Sequence, residues 1–157
     1  MGNEVGRPAR LFVQDANGGL PTPLAPAGIT TTGQDPISPD GRQIVLDQPG
    51  AGTSLARLLL PQRTVAPLPG TLPGDEPIRW SDDGRWIYLK ARSAAAAAAV
   101  VRVEVASGRR EPWKELRPAD SAGVEEIGDV LLTPDGASYV YTYHRSLTDL
   151  YLAEGLR

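Results

Sequence analysis

The sequence predicts an all-β chain, a partial β-propeller of about three four-stranded antiparallel blades, and three observations carry that expectation. Glycine and proline together supply 32 of 157 residues (17 and 15), so breakers are frequent and long helices are disfavoured. Hydrophobic residues still make up 41%, with one Phe and one Met, which is enough apolar mass for a core. Above all, one short pattern occurs three times: Ile37-Ser38-Pro39-Asp40-Gly41, Trp80-Ser81-Asp82-Asp83-Gly84 and Leu132-Thr133-Pro134-Asp135-Gly136. The Asp residues of the Asp-Gly pairs stand at 40, 83 and 135; the first interval matches the ~40–45 residues of one propeller blade and the second is longer.

Each copy has the chemistry of a tight turn. The Ser or Thr hydroxyl and the Asp carboxylate can bond the turn backbone, and Gly takes the left-handed position that closes it. The runs that follow are Ile44-Val45-Leu46, Trp86-Ile87-Tyr88-Leu89 and Tyr139-Val140-Tyr141-Thr142-Tyr143. They are β-branched and aromatic with nearly continuous apolarity, as expected of strands packed on both faces.

The rest of each blade follows in order. Residues 10–15 read as a third strand, Asn17-Gly18 as a turn, and Thr22-Pro23-Leu24 as a fourth strand. Residues 55–60 and Thr64-Val65-Ala66 repeat that pair. Val100-Val101-Arg102-Val103-Glu104-Val105 alternates at period two, and Ser107-Gly108 turns it into Arg109-Arg110-Glu111-Pro112-Trp113. The longer second interval is assigned to an extended polar connection over residues 111–128. Residues 149–153 read as a third strand, with Glu154-Gly155 opening a turn. The expected organisation is therefore a disordered segment 1–9 and a propeller portion 10–157, divided into the end of a blade (10–27), two blades (28–70 and 71–118) and a last blade lacking its outer strand (119–157). That is 13 strands, fewer than the four to eight blades of a closed propeller require. The expectation is the C-terminal portion of a larger ring, with an N-terminus that begins in mid-blade.

Composition excludes several chemistries. There is no cysteine, so disulfides, thiolate metal sites and a Cys nucleophile are ruled out. The net charge is −3 with basic and acidic residues interleaved, which argues against nucleic acid as a partner. The N-terminus lacks the apolar run of a signal peptide, and the run 94–101 is far short of the ~18 residues of a membrane span. No direct membrane contact is expected.

Candidate sites each yield to a plainer reading. His144-Arg145-Ser146-Leu147 resembles a kinase catalytic loop but has Ser146 in place of the Asp, and the sole histidine, His144, offers no multi-His site. It reads as a hairpin between strands. Gly52-Thr53-Ser54-Leu55-Ala56 falls one residue short of the nucleophile elbow and lacks its strand-turn-helix setting. Asp40, Asp82, Asp83 and Asp135 lack the spacing of a calcium loop and serve turns instead. Trp80 reads as packing between blades, whereas Trp86 and Trp113 are open to packing or to a ligand surface. The alanines 94–99 are too few to nucleate a helix and extend a hairpin. No catalytic, cofactor-binding or metal-binding residue is assigned, and the chain is expected not to be an enzyme.

The three Ser-Pro-Asp-Gly-type copies resemble the repeat of TolB-type, WD-repeat-like propellers, over roughly residues 10–157. Residues 138–157 are similar to the C-terminal end of bacterial eukaryotic-like serine/threonine kinases that carry such a propeller. The resemblance implies a binding or sensor module for a protein or small ligand, with periplasmic or extracytoplasmic placement in a larger parent. The competing expectation is a structural fragment that needs missing blades or self-association to close a ring.

Overall fold

The computed structural model describes residues 8–47, 55–91 and 97–148. They form eleven strands and no helix: β1 (Phe12–Asp15), β2 (Gly18–Pro23), β3 (Gln43–Leu46), β4 (Ala56–Leu59), β5 (Thr64–Pro67), β6 (Glu76–Trp80), β7 (Trp86–Ala91), β8 (Ala98–Glu104), β9 (Arg110–Leu116), β10 (Val124–Leu132) and β11 (Tyr139–Arg145). Four antiparallel sheets follow in chain order: β1-β2, β3-β4-β5, β6-β7-β8-β9 and β10-β11.

Three cores lie between successive sheets. Leu11 and Leu24 meet Ile44, Leu46 and Leu58. Val45 and Leu68 meet Trp80, Ile87, Leu89 and Val103. Tyr88, Val100 and Leu116 meet Ile127, Val130 and Leu132. Alternate residues of one strand therefore enter different cores: Ile87 and Leu89 point one way and Tyr88 the other. Burial on both faces removes the selection for polar residues at every second position, which is why these strands read as apolar runs.

The three turns share one hydrogen-bond scheme. Ser38, Ser81 and Thr133 donate their hydroxyls to Asp40, Asp83 and Asp135 at 2.6, 2.6 and 2.5 Å. The same hydroxyls accept from the backbone N–H of Gln43, Trp86 and Ser138 at 2.9, 2.9 and 3.0 Å. The carboxylates accept from the N–H of Arg42, Arg85 and Ala137. Gly41, Gly84 and Gly136 close the turns at φ 68°, 67° and 69°, the left-handed region that a Cβ disfavours.

Those bonds hold all three carboxyls below the ordinary aspartate range, the hydroxyl bond being the largest cause in each. Glu104 is lowered to about 2 by Ser107 and then Arg85. A depressed folded pKa adds stability above the unfolded value and loses it as pH falls through the folded one. The urea midpoint should therefore be flat above pH ~5 and drop from there towards pH ~2. A midpoint unchanged over that window would contradict the turn chemistry.

The structure corrects the expected organisation at several places. Among the described residues, the blade expected at 28–70 forms a three-stranded sheet. Its inner segment lies along β3 without a continuous ladder, meeting it and Asp47 through the isolated pairs Thr30 with Asp47 and Ile37 with Ile44 and through bonds such as Val45 N–H to the Pro36 carbonyl, because Gly33 (φ 88°) bends it and Pro36 lacks an N–H. The connection expected over 111–128 shrinks to 117–123, since β9 runs on to Leu116 and β10 begins at Val124. Ala98 and Ala99 pair with Leu116 and Glu115 inside β8 rather than extending a hairpin. Residues 1–7 of the expected N-terminal segment and the strand expected at 149–153 lie outside the described residues.

Candidate functional site

The inner segments of the second, third and fourth sheets converge on one cleft of about 340 Å³. Residues 32–34 form one wall, the start of β6 a second, Lys90 of β7 and residues 129–130 of β10 the rest. Asp35 and Arg79 pair in parallel between the neighbouring inner segments. The close approach depends on Gly33, where a Cβ would stand 2.6 Å from the carbonyl oxygen of Pro77.

Polar side chains bind these segments together by reaching backbone acceptors of the next sheet. Gln34 Nε2 donates to the carbonyl of Val130 at 3.0 Å. Arg79 donates to the carbonyl of Leu132 at 2.9 Å, and Trp80 Nε1 to that of Pro36 at 3.0 Å. Lys90 Nζ donates to Gly128 at 3.0 Å and pairs with Glu76 at 2.7 Å. The register of β10 is irregular between Ile127 and Val130, and Asp129 N–H donates there to Thr142 Oγ1 at 3.0 Å. Asp129, at this bulge, is among the residues that line the cleft, and bulges are common beside sites. The cleft lining thus carries the Asp129 carboxylate, the Gln34 amide and the Glu76 carboxylate, the last paired with the Lys90 ammonium.

The residues weighed from sequence fall elsewhere. His144 and Arg145 lie within β11, not in a hairpin; His144 is exposed at 3.8 Å from Glu126, and Arg145 bonds Asp120 and the carbonyl of Ala122. Residues 52–54 of the elbow-like segment lie outside the described residues. Asp40, Asp83 and Asp135 are held in their turns, while Asp82 lines a second cleft of about 330 Å³ between the first two turns. Among the described residues no group of three or more acidic or His side chains is arranged to hold a metal.

Trp80 is buried between the second and third sheets. Trp86 is covered within its own sheet by Arg102, Arg109 and Arg85, whose guanidinium carbons stand 4.4, 5.0 and 5.5 Å from the ring centre. Trp113 meets Tyr88 edge-on at 5.3 Å and Tyr139 at 6.1 Å. The cleft residues Gln34, Glu76, Lys90 and Asp129 escaped the sequence reading because they are scattered along the chain with no local motif. The one signal that could have found them is the repeat phase, which puts their segments on neighbouring blades.

No family model and no curated protein matches the sequence. Solved structures do. The crystal structure of TolB from Acinetobacter baumannii superimposes with a TM-score of 0.60 at 17% identity, over 85% of this chain and 32% of that one. A protein described as TolB from Agrobacterium tumefaciens gives 0.57 at 20% identity, over 88% of this chain and 47% of that one. The chain thus spans about a third to a half of the length of these structures, and its fold resembles the propeller region of TolB.

Proposed function

We propose that this chain is a non-catalytic recognition module, one portion of a TolB-like ring, that binds a polypeptide segment in the cleft of its inner strands. The observation that carries this reading is the convergence of three inner segments on a concavity whose rim offers Asp129, Glu76 and Gln34. Such a rim suits a segment bringing positive charge or N–H donors, and about 340 Å³ suits a few side chains. Propeller loops converging on one axis are a common recognition surface. The non-catalytic part rests on the sequence, where each catalytic pattern gives way to turn or strand chemistry. Parentage in a receptor-type serine/threonine kinase rests on the resemblance of the tail alone, and a sensor role would follow from that parentage.

Selecting a random-peptide library on the immobilised chain tests the proposal. Selected peptides should be rich in Lys or Arg, and Glu76→Ala and Asp129→Ala should each weaken them about tenfold, the worth of one charge-assisted bond. Glu115→Ala, at an exposed site on β9, should leave them unchanged. Peptides indifferent to both cleft variants would sink this reading, as would kinase or hydrolase turnover by the pure chain.

A further inference from the structure

We infer that the third sheet carries a binding site for a phosphoryl group, formed by Arg85, Arg102 and Arg109 around the indole of Trp86. The three guanidinium carbons stand 5.5, 4.4 and 5.0 Å from the centre of that one ring. They come from three places in the chain: Arg85 from the Asp-Gly turn ahead of β7, Arg102 from β8, and Arg109 from the turn between β8 and β9. A bond from the Val105 N–H to the carbonyl of Arg85 joins the two turns at one end of the sheet. Glu76 and Lys90, which line the cleft, pair at the other end. Patch and cleft are thus separate, and either reading can fail alone.

The cluster holds more donors than its own acceptors use. Arg85 and Arg109 both reach Glu104, at 2.7 and 3.4 Å. Arg109 and Arg102 both reach Glu111, at 2.7 and 2.8 Å. Charges therefore alternate in the order Arg85, Glu104, Arg109, Glu111, Arg102, with a cation at each end. Three cations against two anions leave the cluster positive, in a chain of net charge −3. Ser107 donates a further bond to Glu104 at 2.5 Å, so that carboxylate is well supplied. One terminal nitrogen of each guanidinium, Nη1 of Arg85 and of Arg102 and Nη2 of Arg109, takes no part in these bonds.

Burial sets the cations outermost. The Glu104 and Glu111 side chains are 15% and 27% exposed, against 58%, 37% and 52% for Arg85, Arg102 and Arg109. A ligand therefore meets guanidinium groups, with the carboxylates behind them. Guanidinium forks match oxyanions bidentately. Three of them, each with a spare nitrogen, suit a group with three outward oxygens and a charge near −2, which is the chemistry of a phosphoryl group.

Building a blade does not call for this cluster. The second sheet closes the same hairpin with Gln43, Leu59, Thr64 and Ala66 in the places of Trp86, Glu104, Arg109 and Glu111. Arg42 and Arg57 stand there where Arg85 and Arg102 do, without the indole or the third guanidinium.

Titrating the 157-residue chain with inorganic phosphate, against sodium chloride at equal ionic strength, tests the site. Guanidiniums that turn towards the anion loosen their hold on the indole. Tryptophan emission should change to saturation, with the change lost in Trp86→Phe and kept in Trp113→Phe. By calorimetry, Arg85→Gln and Arg109→Gln should each weaken phosphate about tenfold, the worth of one charge-assisted bond. Both side chains are more than half exposed, so the urea midpoint should stay near that of the parent chain. Lys114→Gln, which removes an exposed cation on β9, should leave the affinity unchanged. A short phosphoserine peptide separates the two sources of the group: equal affinity assigns a free phosphoryl ligand, and tighter binding a phosphorylated segment. A response no larger than that to chloride would overturn the inference. So would a signal that survives Trp86→Phe, or a loss with Lys114→Gln as large as with the arginine variants.

Discussion

Trp80→Ala should lower the unfolding free energy by about 3–5 kcal/mol, the cost of emptying a large aromatic site in a packed core. Trp80 is 2% exposed and sits among Val45, Leu68, Ile87 and Val103, so its removal opens the second sheet from the third. Its Nε1–H also supplies the bond to the Pro36 carbonyl. Trp80→Phe separates the two contributions: keeping most of the bulk while losing the donor should cost about 1–2 kcal/mol. Against a typical domain stability of about 5–15 kcal/mol, the alanine variant should show a clearly lower urea midpoint. A loss below about 1 kcal/mol for Trp80→Ala would mean that the sheets are held together by something other than this core.

Asp75→Ala is the second large effect. The Asp75 carboxylate is 2% exposed and receives two guanidinium bonds from Arg110, at 2.6 and 2.9 Å, and the N–H of Leu72 at 2.7 Å. Arg110 also donates to the carbonyl of Gly70 at 3.3 Å. This pair fastens the linker between the second and third sheets to the start of β9. Removing one partner of a buried pair costs about 3–5 kcal/mol. Arg110 is 23% exposed, so solvent relieves part of that, and about 2–3 kcal/mol is expected here. Asp75→Leu with Arg110→Met should recover much of the loss, because no charge is then stranded. Denaturant unfolding of the two single variants Asp75→Ala and Arg110→Ala and their double variant checks this: strictly additive losses would show that the two residues are not coupled.

What could be read from the sequence is what is encoded locally. The turns at Ser38, Ser81 and Thr133 are made by bonds within five residues, so side-chain identity and spacing carry the whole signal. Strands β7 and β8 were legible for the same reason, as their apolar runs report burial directly. The inner segment ahead of β3 was not, since Gly33 and Pro36 trade ladder bonds for close approach to the third sheet. The end of β9 was also missed, because Glu111, Lys114 and Glu115 look like loop residues until the exposed face of an outer strand is taken into account. The cleft was least legible. Gln34 to Val130 spans 96 residues, and nothing near either residue announces the bond.

The side chains that join one sheet to the next have an evolutionary consequence. Gln34, Arg79, Trp80 and Lys90 all grip main-chain oxygens, those of Val130, Leu132, Pro36 and Gly128. Every residue carries a carbonyl, so these acceptors survive substitution at their own positions. A lineage of such blades can drift in sequence on the receiving side without losing its docking. Only the gripping residue and the turn that aims it stay under selection. The same fold is then compatible with identities as low as 17% and 20%.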